Sequence, residues 1–155
     1  MKGEILDIIT NPNPILRKKS KELNIEDITS EKIKKLLLDM KETMLKKDGA
    51  GLAAPQIGKN LRIFVINHDS KNLFMINPKI TKLSYGKIVQ NEGCLSVLNE
   101  KGEIYYKPVS RHKWLNLSYY NEKAKLKKIK AKSNLARVIQ HENDHLNGVL
   151  FIDHL

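Results

Sequence analysis

Two helical patterns lie in the first third and near the end of the chain, and a block of short β-rich runs separates them. The first pattern covers residues 30–47 and begins with Ser30, a candidate N-cap. The second runs from about Ser133, another candidate N-cap, to about Asn147, and Gly148 follows where a left-handed residue is expected. Because helices and strands do not alternate, the sequence predicts an α+β fold with antiparallel sheets packed around a central C-terminal helix.

The block between the helices predicts several strands. Leu61–Asn67 and Asn72–Asn77 are bounded by turn residues and predict a hairpin. The doubled Lys127-Lys128 breaks the alternation of its run and predicts a bulge or a strand end. A short helix is expected from Pro14. Further strands are expected at 79–91, 104–107, 112–120 and 123–131.

The length and composition indicate one globular domain, residues 1–155. The apolar fraction is 41%, and no linker, repeat or long apolar run interrupts the chain. Cys94 is the only cysteine, and the N-terminus lacks the features of a secretory signal. We therefore expect a cytoplasmic protein without a membrane partner.

The net charge of +11 has two interpretations. It is typical of proteins that approach a polyanion such as RNA, and it is equally typical of a lysine-rich chain that the charge keeps in solution. The lysines are spread along the sequence, which favours the second interpretation.

The second helical pattern contains His-Glu-x-x-His, within "VIQHENDHLNGVLF" (138–151). Residues four apart share a helix face, so His141 and His145 can bind one metal ion. Glu142 lies one step round, where its carboxylate can reach a bound water rather than the ion. A chance match on an amphipathic helix is one alternative. A closed structural site is another, but such sites usually need four protein ligands and often several cysteines.

A catalytic site of this kind usually has a third protein ligand. The longer zinc-protease pattern continues here as far as Gly148, but Phe151 stands where its third histidine would be. Asp153 and His154 are too close to the terminus to carry much weight. The third ligand is therefore expected upstream.

Cys94 is the favoured upstream candidate, ahead of His68, His112 and several carboxylates. It lies in "NEGCLSV", where Gly93 permits close approach of the backbone and Glu92 can support a ligand. One cysteine and two histidines would leave an open position for water.

A third segment, "DGAGLAAPQIG" (48–58), joins the first helix to the first central strand. Its small residues would let a substrate backbone lie against it, and the amide of Gln56 is a donor of the kind that stabilises an oxyanion. Taken alone, a tight turn explains the segment equally well.

The segments "GAGLAAPQ", "EGCLS" and "QHENDHLNG", in this order, closely resemble the three signature motifs of peptide deformylases. "NPNPILRKKS" also resembles an early segment of that family. The resemblance covers roughly the whole chain. It implies a hydrolase that removes the formyl group from N-formylmethionine at the start of nascent polypeptides and releases formate.

The resemblance also implies roles for individual residues. Glu142 would be the general acid and base, and Gln56 with the backbone N–H of Leu95 would stabilise the oxyanion. Arg111 resembles the family arginine that braces the acidic residue Glu92. Fe(II) is the implied native ion, with Zn, Ni or Co in some preparations. The implied ligands are Cys94, His141 and His145.

The implied peptide site uses backbone groups of Ala50, Gly51 and Gly93, which would bind the substrate as an added strand. Ala50 and Val138 would line the pocket for the methionine side chain. Two departures from the family pattern affect this site: the loop after "EGCLSV" is several residues longer than in some members, and Asn134 lies where an apolar residue is common.

The partners implied are N-formylmethionyl nascent peptides, with no DNA, and a monomer is expected. Many bacterial members continue into a C-terminal helix that can dock on the ribosome, whereas this sequence stops at "FIDHL". Transient ribosome association is therefore a hypothesis that rests on the net charge. The alternatives are a general metallopeptidase and an inactive relative that serves as a basic ribosome- or RNA-binding module. The intact Gln56, Glu142 and candidate ligands favour an active enzyme.

Overall fold

Seven strands, two α-helices and four short 3₁₀ helices make up the protein in this computed structural model, which describes residues 1–155. The helices are α1 (Glu31–Lys46) and α2 (Ser133–Leu146). The 3₁₀ helices are Pro14–Arg17, Ile25–Asp27, Ala54–Ile57 and Phe151–His154. The strands are β1 (Gly51–Ala53), β2 (Ile63–His68), β3 (Lys71–Leu83), β4 (Lys87–Glu92), β5 (Lys107–His112), β6 (Trp114–Tyr120) and β7 (Leu126–Lys132).

The strands form two antiparallel sheets. One has five strands in the order β1-β2-β3-β6-β7, and the other is the β4-β5 hairpin. Together with the helix near the C-terminus, these sheets confirm the predicted α+β class. Neither helix is long and apolar enough to cross a membrane.

Helix α1 covers one face of the five-stranded sheet. The side chain of Ser30 accepts a hydrogen bond from Ile33 N at 3.3 Å, as an N-cap does. The apolar stripe of α1, including Met40 and Met44, packs on Val65 and Ile76 of the sheet in one buried cluster. The predicted first helix is confirmed within one residue at each end.

Helix α2 packs on the opposite face, where Ile139 and Leu146 join Phe64 and Leu117 in a second buried cluster. Gly148 has a φ of +74°, so the predicted left-handed residue after the helix is confirmed. The prediction that Ser133 caps α2 is wrong. The N-cap position is Lys132, no side chain caps the helix there, and the strand β7 leads directly into it.

The predicted hairpin is confirmed, because β2 and β3 are antiparallel neighbours joined by a two-residue turn. Their pairing runs from His68 with Lys71, next to the turn, to Ile63 with Ile76. The predicted strand at 79–91 is interrupted at 84–86, where the chain passes from β3 to β4. The strand predicted at 104–107 is wrong. Ile104 forms only an isolated bridge with Leu98, and β5 begins at Lys107.

Of the bulge or strand end predicted at Lys127-Lys128, the bulge is wrong, and the strand end lies one residue earlier, where β7 begins at Leu126. The pairing of β7 with β6 is continuous from Tyr120–Leu126 to Trp114–Lys132. The side chains of β7 therefore alternate between the two faces of the sheet without interruption. As a consequence the apolar Leu126 lies on the same face as Lys128 and is 53% exposed. The register shifts occur instead between β3 and β6.

Candidate metal centre

Three side chains that can bind a metal meet beside α2. Helix α2 contributes His141 and His145, and Cys94 comes from the turn that follows β4. The donor atoms of the three residues lie within 4.8 Å of one another, and Cys94 Sγ is 3.3 Å from His145 Nε2. We call these three residues the donor cluster.

The donor cluster fits a divalent transition-metal ion. One thiol and two imidazoles form a donor set of the kind found in catalytic zinc-type sites, in which a further position stays open. Cys94 and His145 are buried, and the buried Nδ1 of His145 has no hydrogen-bond partner. A cation held here would require a thiolate and neutral imidazoles, because ligands bind metals in the deprotonated form.

The other candidates considered from the sequence lie outside this cluster. His68 Nε2 is 3.3 Å from Asp69 at the β2–β3 turn, and His112 Nδ1 is 2.6 Å from the carbonyl oxygen of Ser84. Phe151 is buried, and its ring stacks on that of His141 with 6.3 Å between the centroids. The position of a third protease histidine is therefore filled by an aromatic contact with one of the candidate ligands.

Asp153 and His154, near the C-terminus, contact other side chains and lie outside the donor cluster. Asp153 accepts hydrogen bonds from Arg17 at 2.6 and 3.2 Å, and His154 Nε2 is 2.8 Å from Asp144. Asp153 and His154 thus have structural partners of their own.

Glu92 orients His141 from the side away from the cluster. Its carboxylate is 2.9 Å from His141 Nδ1 and accepts hydrogen bonds from Arg111 Nε at 2.8 Å and Nη2 at 2.9 Å. Burial opposes ionisation of Glu92, but these hydrogen bonds and the arginine charge hold its pKa well below the ordinary range. The pairing of Arg111 with Glu92 agrees with the role that the resemblance implied.

Arg137 is a second buried partner of Glu92 that sequence reasoning missed. It donates to Glu92 at 2.6 Å and also to the carbonyl oxygens of Ile88 at 2.6 Å and Val109 at 3.0 Å. Arg137 and His141 are four residues apart and so share a helix face. An arginine on the inward face of an amphipathic helix, one turn before a candidate ligand, was the signal that could have revealed it.

Glu142 is buried beside the donor cluster. Its Oε2 has no hydrogen-bond partner, and burial raises its pKa to about 7. A Cβ atom on Gly51 would stand 2.7 Å from Glu142 Oε1 and 2.9 Å from Cγ. The missing side chain of Gly51 therefore makes room for the Glu142 carboxylate.

The two histidines differ in their surroundings. Burial opposes protonation of His141, but the neighbouring Cys94 and the contact with Glu92 raise its pKa to about 10. Burial, with the neighbouring His141, lowers the pKa of His145. Both directions follow from the contacts, since only His141 has a carboxylate partner.

Gln56 is held at both ends of its amide. Its Oε1 accepts a hydrogen bond from Ala53 N at 3.0 Å, and its Nε2 donates to Ser96 Oγ at 3.0 Å and Cys94 Sγ at 3.6 Å. The backbone N–H of Leu95 donates to no protein acceptor. Gln56 and Leu95 thus place two N–H donors against the cysteine.

A cavity of about 470 Å³ opens onto the cluster, and its wall includes all the residues expected to bind peptide: Ala50, Gly51, Gly93 and Val138. Asn134, Ile104 and Tyr106 also line it. A Cβ on Gly93 would stand 2.7 Å from the Tyr106 ring and 2.9 Å from Ile104, so the longer loop lies directly against this glycine. Composition and spacing alone did not reveal the contribution of Ile104 and Tyr106.

An α+β fold with buried cysteine and histidine donors beside an unpartnered glutamate defines a metal-dependent hydrolase. A family model described as polypeptide deformylase matches residues 5–155. The chain belongs to that family.

Individual relatives agree along almost the whole chain. The peptide deformylase of Dictyoglomus turgidum is 40% identical over 149 residues, which are 96% of this chain and 92% of the relative. The crystal structure of the Thermotoga maritima enzyme matches with a TM-score of 0.88 at 36% identity and covers 97% of both chains. An Acinetobacter baumannii peptide deformylase with Met-Ala-Ser bound matches with a TM-score of 0.91 at 27% identity, over 97% of this chain and 98% of its own. The function of the chain is the hydrolytic removal of the N-formyl group from nascent polypeptides.

Proposed function

We propose that residues 1–155 form one catalytic domain in which Cys94, His141 and His145 hold a single divalent metal ion and release formate from N-formylmethionyl peptides. The observation that carries this proposal is the buried donor cluster with Glu142 at its side. The Met-Ala-Ser peptide bound to the A. baumannii relative supports a substrate that begins with methionine. Fe(II) is the proposed native ion, and Zn, Ni or Co are proposed substitutes.

A metal ion in this site would supply Lewis-acid polarisation of the formyl oxygen and of the attacking water. A thiolate ligand lowers the net positive charge of such a site compared with three neutral imidazoles. The protein's own proton acceptor therefore carries more of the catalytic work.

Glu142 is the proposed proton carrier. Its unpartnered Oε2 is free to accept the proton of the attacking water. The absence of a side chain at Gly51 leaves room for the carboxylate in this position. The same carboxyl group then returns that proton to the amine that leaves. One residue can serve both steps because the proton that it accepts from water is the proton that it later gives to the amine.

Gln56 and Leu95 are proposed to bind the formyl oxygen as negative charge develops on it. The fixed Gln56 amide presents its Nε2 near Cys94, and the Leu95 N–H is unengaged. Donors that are already oriented need no rearrangement during the reaction, which is the basis of oxyanion stabilisation.

The peptide is proposed to lie along the cavity as an added strand on backbone groups of Ala50, Gly51 and Gly93. Ala50 and Val138 line the space proposed for the methionine side chain, and Tyr106 and Ile104 lie next to Gly93. Selection of formyl over larger acyl groups would be steric, since formyl has only a hydrogen where other acyl groups have carbon.

The proposed setting is the cytoplasm, where formylated nascent chains arise. A monomer that associates transiently with the ribosome is proposed, without DNA or membrane partners. The comparisons give no support to an inactive relative that only binds RNA.

The test is to follow formate release from formyl-Met-Ala-Ser by anaerobically prepared, metal-loaded protein. Acetyl-Met-Ala-Ser and an unformylated peptide of equal length serve as controls. Formate from the first peptide, with no cleavage of acetyl groups or internal bonds, is the expected result. Internal cleavage without formate release would make the protein a general metallopeptidase instead.

A further inference from the structure

One part of the five-stranded sheet has a face that no helix covers. Ile76 and Tyr120 pair across β3 and β6 on the side that α1 covers. Beyond Tyr120, Ser118, Asn116 and Trp114 continue on this side by strand alternation. Leu115 and Leu117 point the other way, into the cluster beneath α2. Past the edge of α1, this face is in contact with solvent.

Lysines surround this open part of β6 on both sides. On β7, Lys128, Lys130 and Lys132 pair with Ser118, Asn116 and Trp114. On β3, Lys79 pairs with Ser118, and Lys82 pairs with Asn116. We call the following five residues the basic face: Lys79, Lys82, Lys128, Lys130 and Lys132.

The basic face has no counter-charge. None of its five lysines forms an ion pair, and β3, β6 and β7 contain no Asp or Glu. All five side chains are exposed. Glu22 and Glu26 line a neighbouring cavity that also includes Lys79, so negative charge borders the face only at that end. Like charges held together without counter-charges repel, and an anionic ligand would relieve that repulsion.

An aromatic side chain lies among these lysines. Lys130 Nζ is 4.3 Å and Lys82 Nζ is 5.8 Å from the centroid of the Trp114 ring. Trp114 is the only tryptophan of the chain. Cations next to a partly exposed aromatic ring are the combination with which proteins bind the phosphates and bases of unpaired nucleic acid.

We propose that the basic face binds RNA, with its lysines on the phosphates and Trp114 available to a base. The lysines on β7 alternate along an extended strand, so they repeat at about 7 Å. Asn116 and Ser118 lie between the two rows of lysines and offer hydrogen bonds to phosphate or ribose. A lipid surface fits less well, because no large aliphatic side chain projects between the lysines; the exposed Leu126 lies at one end.

The basic face and the donor cluster lie on opposite sides of the sheet, since α2 packs on the face that Leu115 and Leu117 line. RNA and a formylated peptide can therefore bind at the same time. If the RNA is that of the ribosome, with which transient association is proposed above, binding to it would raise the local concentration of the enzyme near nascent chains. RNA binding and formate release are measured separately, and each can fail without the other.

The experiment uses the full chain and an unlabelled single-stranded RNA oligonucleotide of mixed sequence. Quenching of Trp114 fluorescence reports on the face itself, and anisotropy of a labelled copy of the RNA gives the affinity. The test variant is Lys128→Gln/Lys130→Gln/Lys132→Gln. The matched control is Lys18→Gln/Lys19→Gln/Lys21→Gln, which removes the same charge from exposed lysines elsewhere. Formate release by both variants verifies that they are folded.

The expected result is quenching of Trp114 and at least tenfold weaker RNA binding by the test variant, with less than a twofold change in the control. Each phosphate contact contributes about −0.7 to the slope of log K against log salt for single strands, so the test variant should lose about 2 from that slope. A Lys82→Gln/Lys130→Gln variant removes the two lysines next to the Trp114 ring and keeps Lys128 and Lys132. It should weaken the quenching as well.

Equal losses in the test and control triples would reduce the effect to net charge and overturn the proposal. Absence of quenching with bound RNA would place the RNA elsewhere, and binding to anionic phosphatidylglycerol vesicles in preference to RNA would assign the face to lipid. If the β7 triple proves inactive, the double variant decides between these outcomes.

Discussion

The carboxylate of Glu92 is 2.9 Å from Nδ1 of His141, and it is buried together with two arginines that neutralise it. This contact fixes the orientation of the ring and leaves Nε2 as the nitrogen available to a metal ion. Partners of this kind also raise the basicity of a histidine ligand.

Glu92→Gln should therefore weaken metal binding and activity by about 10- to 100-fold. The glutamine amide carries no negative charge, so Arg111 and Arg137 lose their counter-charge. The His141 ring keeps only a neutral acceptor in place of a carboxylate. Metal affinity by competition with a chelator and kcat for formate release are the measurements. Gln90→Glu, two residues earlier on β4, exposed and outside the cavity, is the control that should change neither. Unaltered metal affinity in Glu92→Gln would remove Glu92 from this role.

Cys94→Ala should abolish stable metal binding and formate release, because only two of the three donors would remain. His68→Ala removes a partly exposed histidine that lies outside the cluster and should leave one ion per chain. Metal content after desalting, measured by mass spectrometry, separates the two. A Cys94→Ala protein that still carries one ion would mean that another residue completes the site.

Arg137→Met should destabilise the protein by about 3–5 kcal/mol, because it removes one partner of a buried ion pair and leaves carbonyl oxygens unpaired. The arginine joins α2 to the β4-β5 hairpin through Ile88 and Val109. Urea denaturation measures the change, with the exposed Lys19→Met as control. A loss below about 1 kcal/mol, the usual range of an exposed pair, would show that Arg137 does not make this connection.

Gly51→Ala should lower kcat by about 100-fold, the effect expected when a catalytic group is displaced by about 1 Å. The new Cβ would lie 2.7 Å from Glu142 Oε1, so the carboxylate has to shift. Gly86→Ala is the matched control, because its Cβ would meet nothing nearer than 3.5 Å and its backbone is not left-handed. Full activity in Gly51→Ala would mean that the position of the carboxylate tolerates this displacement.

Local patterns predicted the helices and the site better than they predicted the strands. Apolar spacing located α1 within one residue at each end, and four-residue spacing placed His141 and His145 on one face. Cys94 was reached by excluding downstream residues and by its neighbours Gly93 and Glu92, but the sequence does not show that it lies 3.3 Å from His145. That distance arises from long-range packing of β4 against α2.

The errors have a common physical origin in tertiary contacts. The segment 104–107 has a strand-like composition, yet Ile104 and Tyr106 lie against Gly93, and only Lys107 belongs to a strand, β5. The doubled Lys127-Lys128 broke the expected alternation, but β7 pairs with β6 without a register shift, and Leu126 is exposed as a result. Arg137 was overlooked because its value depends on Glu92, 45 residues earlier in the chain.

The most direct test of the central claim compares formate release by the metal-loaded protein with that of its Glu142→Gln variant. Glutamine keeps the shape of the side chain but cannot carry a proton, so metal content should be unchanged. We expect kcat to fall by at least 100-fold, in line with the usual contribution of general acid–base catalysis. A Glu142→Gln protein that binds metal and releases formate at a near-normal rate would contradict the proposed role of Glu142.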